Sequence, residues 1–282
     1  MNKNIHTFIG CDAEYDESKI VIFGAPFDST TSYRPGTRFA SSAMRQESFG
    51  IETFSFYQEK DLLDTKIFDA GDLELVFGSP ESALNDIEEM TAKILSDEKL
   101  PLMIGGEHLV TLGAVRAVHK KYNNLHIVHF DAHADLRDDY LGQKLSHATV
   151  IRRCHDLLGD AKIFQFGIRS GDRDEFEFTK KHTVTNMFDT TGIEKLPDLI
   201  GDNPVYFTID LDVLDPSIFP GTGTPEAGGI SFKELLNGID IVSKLNVVGV
   251  DVNELSPIYD QTGASTAMAC KILRELLLKL YK

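Results

Sequence analysis

Short, unbroken apolar runs alternate along this chain with longer stretches in which apolar residues recur every third or fourth position. Buried strands explain the first pattern and amphipathic helices the second. Strands are expected at 19–24 (KIVIFG), 67–70, 100–104, 125–130, 161–168, 205–211 and 247–252. Helices are expected after Ser79-Pro80-Glu81 and over 107–122, 148–158, 172–181, 231–244 and 266–280. The first of these has a serine cap, a proline at the first helical position and an acidic first turn, and it sets Ala83, Leu84, Ile87, Met90, Ile94 and Leu95 on one face. Ser231-Phe232-Lys233-Glu234 is a capping-box pattern that starts another, and Ile272, Leu273, Leu276, Leu277 and Leu280 stripe the last. The interval from Gly24-Ala25-Pro26 to about Arg45 reads as a long polar loop. Strands alternating with such helices make a mostly parallel sheet covered on both faces, an α/β fold whose ligands sit beyond the carboxyl ends of its strands. No linker, repeat or low-complexity tract divides it, so residues 1–282 are expected to form one domain.

The chemistry-bearing residues fall at those strand ends. In Val128-His129-Phe130-Asp131-Ala132-His133-Ala134-Asp135 an apolar strand runs into acidic and imidazole side chains at alternate positions. Continued extended backbone would send Asp131, His133 and Asp135 the same way, toward one point. Aspartate and histidine also gather at strand ends simply as turn formers. As a metal cradle, two carboxylates and an imidazole suit Mn(II), Fe(II), Zn(II) or Co(II) and not calcium, which takes oxygen alone. Gly105-Gly106-Glu107-His108 brings His108 to the same rim, the glycine pair allowing a sharp turn, with Glu107 as a carboxylate acceptor behind it. Asp210 and Asp212 interrupt the apolar end of the 205–211 strand, and two neighbouring carboxylates there repel unless a cation joins them. His108, Asp131, His133, Asp135, Asp210 and Asp212 are too many for one tetrahedral ion and suit two, about 3.5–4 Å apart and sharing carboxylates. Glu254, after the last strand, leaves such a site formally negative.

Composition narrows the partners. A formal charge of −16 opposes any continuous basic groove, so nucleic acid and anionic lipid are discounted as partners; such acidity commonly serves solubility, and it also raises the local concentration of cationic substrates. The N-terminus lacks the apolar core of a signal peptide and no segment has the length of a membrane span, so a cytoplasmic protein is expected. Cys11, Cys154 and Cys270, odd in number and without a C-x-x-C, are expected to be reduced structural thiols.

GGEH, DAHAD, SHATVIRR, TIDLDVLDP, GTGTPEAGG and GVDVNELSP occur in one order, and together they resemble the ureohydrolase family of arginases and agmatinases. Phe166-Gly167-Ile168-Arg169-Ser170 is similar to the bacterial agmatinase branch. The resemblance implies a three-layer α/β/α fold with an eight-stranded sheet, two Mn(II) per chain, and hydrolysis of a guanidinium group to urea and an amine. It assigns one ion to His108, Asp131, Asp135 and Asp210 and the other to Asp131, His133, Asp210 and Asp212. It makes Asp135 the proton donor to the leaving amine, His147 a proton shuttle, and Glu254 the partner of the guanidinium nitrogens. It also implies a homo-oligomer, trimer or hexamer. The family pattern often has Asp where Glu107 stands; a small rearrangement without loss of metal is expected.

The substrate expectation rests on residues 136–146, where the paired Asp138 and Asp139 would repel the α-carboxylate of arginine and welcome a second ammonium, against Arg137 and Lys144, although a solvated acidic loop is the commoner reading of such a pair. Agmatine, cleaved to urea and putrescine in polyamine metabolism, is therefore expected ahead of guanidinobutyrate and arginine. Formiminoglutamase activity, or a non-catalytic metal-binding regulatory protein, are the alternatives, the latter with no need of His147 or Glu254. Gly221-Thr222-Gly223-Thr224-Pro225 lacks the G-x-G-x-x-G spacing of a phosphate loop and is read as a rim loop.

Overall fold

The structure, a computed structural model, describes residues 1, 4 and 6–282. In chain order its strands and helices are β1 (Ile20–Gly24), α1 (Ala40–Glu47), β2 (Phe54–Ser55), β3 (Lys60–Asp61), β4 (Ile67–Asp72), α2 (Pro80–Ser96), β5 (Leu100–Ile104), α3 (Thr111–Lys121), β6 (His126–Phe130), α4 (Val150–Leu158), β7 (Ile163–Ile168), α5 (Arg173–His182), β8 (Val184–Met187), α6 (Leu196–Ile200), β9 (Pro204–Asp210), α7 (Phe232–Val242), β10 (Asn246–Asn253) and α8 (Ala264–Leu280). Eight strands form one sheet in the order β4-β1-β5-β10-β9-β6-β7-β8, every pair parallel, while β2 and β3 make a separate antiparallel pair.

Both faces of the sheet are buried, as unbroken apolar strands require. In β1 the alternation is direct: Ile20 and Ile22 join one core cluster, Val21 and Phe23 the other. Helices α1, α6, α7 and α8 contribute to the first cluster, and α2, α3 and α4 to the second, giving three layers. The caps read from sequence are formed: Ser79 Oγ accepts from Ser82 N, and Ser231 and Glu234 exchange hydrogen bonds, Ser231 N donating to Glu234 Oε2 at 2.7 Å. Buried Leu84 and Ile87 on α2 are each worth about 1.5–3 kcal/mol relative to exposure.

Three elements depart from the periodicity reading. Strand β8 (VTNM) has no apolar run because it is a half-exposed edge strand paired with β7. Helix α1 lies in the interval read as a long polar loop. Its buried face carries Ala40, Ser41, Met44 and Arg45, and Arg45 is buried because it pairs with Asp69 (Nε to Oδ2, 2.9 Å) and Asp72. Helix α3 begins at Thr111, after a tight 3-10 turn at His108–Val110, later than the helix expected over 107–122.

The order of the sheet sets carboxyl ends side by side. Val252 of β10 is in register with Ile104 of β5, Asn253 with Asp210 of β9, and Ile209 of β9 with Phe130 of β6. The segments that follow these four strands therefore open on one rim, and they are the segments that carry the candidate residues. Cys11, Cys154 and Cys270 are buried and unbridged. Among the described residues no helix is long and apolar enough to cross a membrane.

Candidate metal centre

Asp131 leaves the end of β6 fully buried. Its Oδ2 lies 3.0 Å from His108 Nδ1, and its Oδ1 accepts a hydrogen bond from His133 N at 2.6 Å. Asp135 Oδ2 is also 3.0 Å from His108 Nδ1, and Asp210 Oδ2 is 3.6 Å from it. On the other side, His133 Nδ1 is 3.5 Å from Asp131 Oδ1 and 2.9 Å from Asp212 Oδ2. Two donor groups result, with Asp131 presenting one oxygen to each. All six expected ligands are thus brought together, as are Asp135, His147 and Glu254 around one pocket of about 200 Å³.

The convergence is reached by another route than extended backbone. The chain leaves β6 at Phe130, His133 forms an isolated parallel bridge with Ser170, and Asp135 turns in the left-handed region (φ 53°). Asp212 likewise sits in a 3-10 turn, Leu211–Val213, held by its amide donating to Asp210 Oδ1 at 2.8 Å. Glu254 is left-handed too (φ 65°). Such a conformation costs a non-glycine residue about 1–2 kcal/mol and aims the side chain out of the strand direction.

The glycine pair before His108 serves space rather than dihedral freedom. Neither Gly105 nor Gly106 has positive φ, but a Cβ on Gly106 would lie 2.0 Å from the Phe27 carbonyl oxygen, and one on Gly105 1.8 Å from Asn253 Oδ1. That close approach lets Glu107 N donate to Phe27 O at 2.7 Å. The Glu107 carboxylate is taken up by the neighbouring loop: it accepts from Thr30 N at 2.8 Å and from the hydroxyls of Thr30 and Thr31. Burial pushes its carboxyl up to about 7 despite those hydrogen bonds. Thr30 Oγ1 in turn accepts from His147 N at 3.0 Å, so Glu107 fixes the loop that places His147.

The electrostatics ask for cations. Among the described residues no lysine or arginine forms an ion pair with Asp131, Asp135, Asp210, Asp212 or Glu254, all buried. Burial, then the Asp131 charge, pushes Asp135 up to about 7; burial and the Asp212 charge raise Asp210 and Glu254. His108 and His133 are raised although burial opposes it, because Asp131 and Asp135 hydrogen-bond the first and Asp212 attracts the second. Asp131 is held low: burial pushes it up, but hydrogen bonds from His108 and His129 outweigh that. A site that drives Asp135, Asp210, Glu254 and two imidazoles toward protonation can take divalent cations instead, and carboxylate plus imidazole donors fit borderline transition ions. Burial and His133 hold His147 down at about 4, so it is uncharged at neutral pH.

Several participants were not singled out from sequence. His129, buried on β6, places Nε2 2.8 Å from Asp131 Oδ2; its signal was its place two residues before Asp131. Thr208 Oγ1, 2.9 Å from His108 Nε2, orients that ring so that Nδ1 faces the carboxylates. Thr30 and Ser32 approach the His147 ring at 3.5 and 3.3 Å, and nothing in their local sequence marked them. The 221–225 segment is a rim loop as expected, with Thr224 in the pocket wall and its hydroxyl 3.3 Å from Asp212 Oδ2.

The acidic-loop argument needs correction. Asp138 turns outward, 63% exposed, to accept from Arg153 Nη2 at 2.8 Å, and Asp139 is exposed and accepts from Gly142 N. Neither faces the pocket, because the paired arginines of α4 draw Asp138 away. Arg137 does line the pocket, but its guanidinium is engaged by Glu175 (3.3 Å) and Asp172 (3.4 Å) and stacks on Tyr140; Lys144 is exposed. The pocket wall itself is acidic, with Asp135, Glu175, Asp210 and Glu254.

Comparison with known proteins agrees with this geometry. The model of the Arginase family matches residues 18–279. The chain is 46% identical over 280 residues to the agmatinase of Bacillus subtilis (strain 168), covering 98% of this chain and 96% of the relative. It superposes on the crystal structure of a putative agmatinase from Clostridium difficile with a TM-score of 0.92 and 53% identity, covering 95% and 99% of the two chains. The agmatine ureohydrolase of Thermoplasma volcanium gives a TM-score of 0.89 at 35% identity, covering 98% and 94%.

Proposed function

This chain belongs to the arginase family and hydrolyses guanidino carbon–nitrogen bonds, and we propose that it is an agmatinase, cleaving agmatine to urea and putrescine with two manganese ions. The observation that carries the reading is the pocket: buried Asp135, Asp210 and Glu254 converge there, unpaired with any lysine or arginine among the described residues, and the arginine in its wall, Arg137, is already engaged by Glu175. Agmatine is arginine without its carboxylate, a dication. An acidic wall attracts it, and among the described residues that wall offers no free lysine or arginine to the α-carboxylate of arginine.

One ion would be held by His108, Asp131, Asp135 and Asp210, and the other by Asp131, His133, Asp210 and Asp212. When bound, the pair supplies the Lewis acidity that makes water a nucleophile at neutral pH. The remaining work belongs to the chain. Glu254 anchors one oxygen on His108 N (2.7 Å) and has the other for the guanidinium nitrogens, orienting the carbon toward the donor groups. Asp135, in the pocket wall, gives a proton to the leaving amine nitrogen. His147, uncharged and beside the Ser32 hydroxyl at 3.3 Å, relays protons between pocket and solvent.

The supporting experiment compares kcat/KM for agmatine, guanidinobutyrate and arginine by urea release from manganese-loaded protein. Agmatine is expected to lead; equal or better hydrolysis of arginine defeats the specificity while leaving the metal chemistry standing. The proposal includes a cytoplasmic setting, supported by three buried unbridged thiols, and self-association, supported by the exposed aromatic side chains Phe54, Phe56 and Tyr57. Cell fractionation and light scattering test these two.

A further inference from the structure

At the other end of the sheet a second group of donors meets. His155 lies one turn before the end of α4, Asp160 in the turn that leads into β7, and His182 closes α5 before β8. These are the amino ends of the strands, opposite the rim that carries Asp131 and Asp210. Asp160 Oδ1 is 2.8 Å from His155 Nε2 and 2.7 Å from His182 Nδ1, so one carboxylate oxygen and two imidazole nitrogens face a common point. Phe178 holds both rings: its centroid is 4.2 Å from that of His182 and 4.9 Å from that of His155, which it meets edge to face. The backbone fixes the pair as well, Ala161 N donating to His182 O at 2.9 Å. Arg152, the nearby cation over Phe178, is drawn away by Asp156 and Asp138.

We propose that His155, Asp160 and His182 form a divalent-metal site of the zinc class, separate from the catalytic centre, that ties α4 to α5. Two imidazoles and one carboxylate are the donor set of three-ligand zinc sites, which complete their coordination with water. Tetrahedral bonds of about 2.1 Å put donors about 3.4 Å apart, so the carboxylate must withdraw by about 0.6–0.7 Å from its hydrogen-bonded position. Asp160 is 64% exposed and free to do so, while the two packed rings stay. Each ring binds in the tautomer, or after loss of the proton, that frees the nitrogen now facing Asp160, so uptake weakens as pH falls. The site clamps helices whose opposite, N-terminal ends serve the pocket: α4 follows the turn that carries His147, and Glu175 in the first turn of α5 accepts from Leu136 N at 2.9 Å, beside Asp135.

The test is zinc uptake by the manganese-loaded protein, wild type against His182→Gln and Asp160→Asn, by dialysis against micromolar zinc followed by elemental analysis. Both substitutions keep a hydrogen-bonding side chain in the cluster, and none of the three residues belongs to the catalytic machinery. The expected result is one zinc per chain more in wild type than in either variant, with equal manganese and equal urea release. A rise in Tm of the wild type with zinc, absent from both variants, is expected alongside. Equal zinc in all three proteins, or none beyond what displaces manganese, overturns the proposal and leaves a hydrogen-bonded His–Asp–His cluster only.

Discussion

Replacing Glu254 by glutamine separates binding of substrate from binding of metal. Glu254 Oε1 accepts from His108 N at 2.7 Å, and its own amide donates to Gly106 O at 3.0 Å. The glutamine carbonyl preserves the first bond and the backbone preserves the second, so His108 and its donor group stay in place. What is lost is the second oxygen, exchanged for an NH2 that cannot accept from a guanidinium. A hydrogen bond to a charged group is worth about 1.5–3 kcal/mol, which converts to a fall in kcat/KM of about 10- to 150-fold. Because burial and the Asp212 charge raise the Glu254 carboxyl, the neutral side chain relieves strain in the metal-free protein, and its Tm is expected to equal or exceed that of wild type. Urea release across agmatine concentrations gives the kinetic terms, and elemental analysis gives the metal content. Near-normal kcat/KM with both metals retained refutes the role assigned to Glu254; loss of metal refutes the separation.

Asp212→Ala removes a donor from one group alone, so manganese should fall from two per chain to one by elemental analysis; an unchanged stoichiometry sinks the two-ion arrangement. Gly106→Ala places a methyl 2.0 Å from the Phe27 carbonyl, a backbone atom that cannot swing aside, and should cost about 1–3 kcal/mol or more, read as a lowered Tm by calorimetry. For the metal-free protein, Asp135 at about 7 binds protons that the unfolded chain has already released. His108 and His133 are raised in the same sense. Folded protein therefore holds more protons between pH 6.5 and 8, and its Tm must fall as pH rises through that window. His147, lowered to about 4, and His126 and His129, lowered by burial, act in the opposite sense, mainly below pH 6.5 and fading above it. Manganese loading should reverse the trend, because ligands must shed those protons. A metal-free Tm that stays level or climbs from pH 6.5 to 8, followed by scanning fluorimetry, contradicts this charge assignment.

Local chemistry made much of this protein legible before any coordinates. Burial on both faces of a parallel sheet demands unbroken apolar strands, and helix faces demand a three-to-four spacing, so β1, β5, β6, β7, β9 and β10 and the larger helices announce themselves. Aspartates and histidines at apolar strand ends are equally conspicuous, since burying charge there is unfavourable without cations. Tertiary structure decided whatever depends on a partner distant in sequence. Arg45 makes α1 look polar because Asp69 and Asp72 are far along the chain, and β8 escapes notice because an edge strand need not be apolar. His129, Thr30 and Ser32 matter through contacts with Asp131 and His147 that the fold creates. The direction of Asp138 was settled by Arg153 and that of Arg137 by Glu175, so the paired aspartates of that loop face solvent, and the carboxylates that line the pocket are Asp135, Glu175, Asp210 and Glu254. The glycines before His108 are small because Phe27 and Asn253 pass beside them. Propensity and burial are properties of a segment; orientation and pairing are properties of the space between segments, and only the folded chain defines that space.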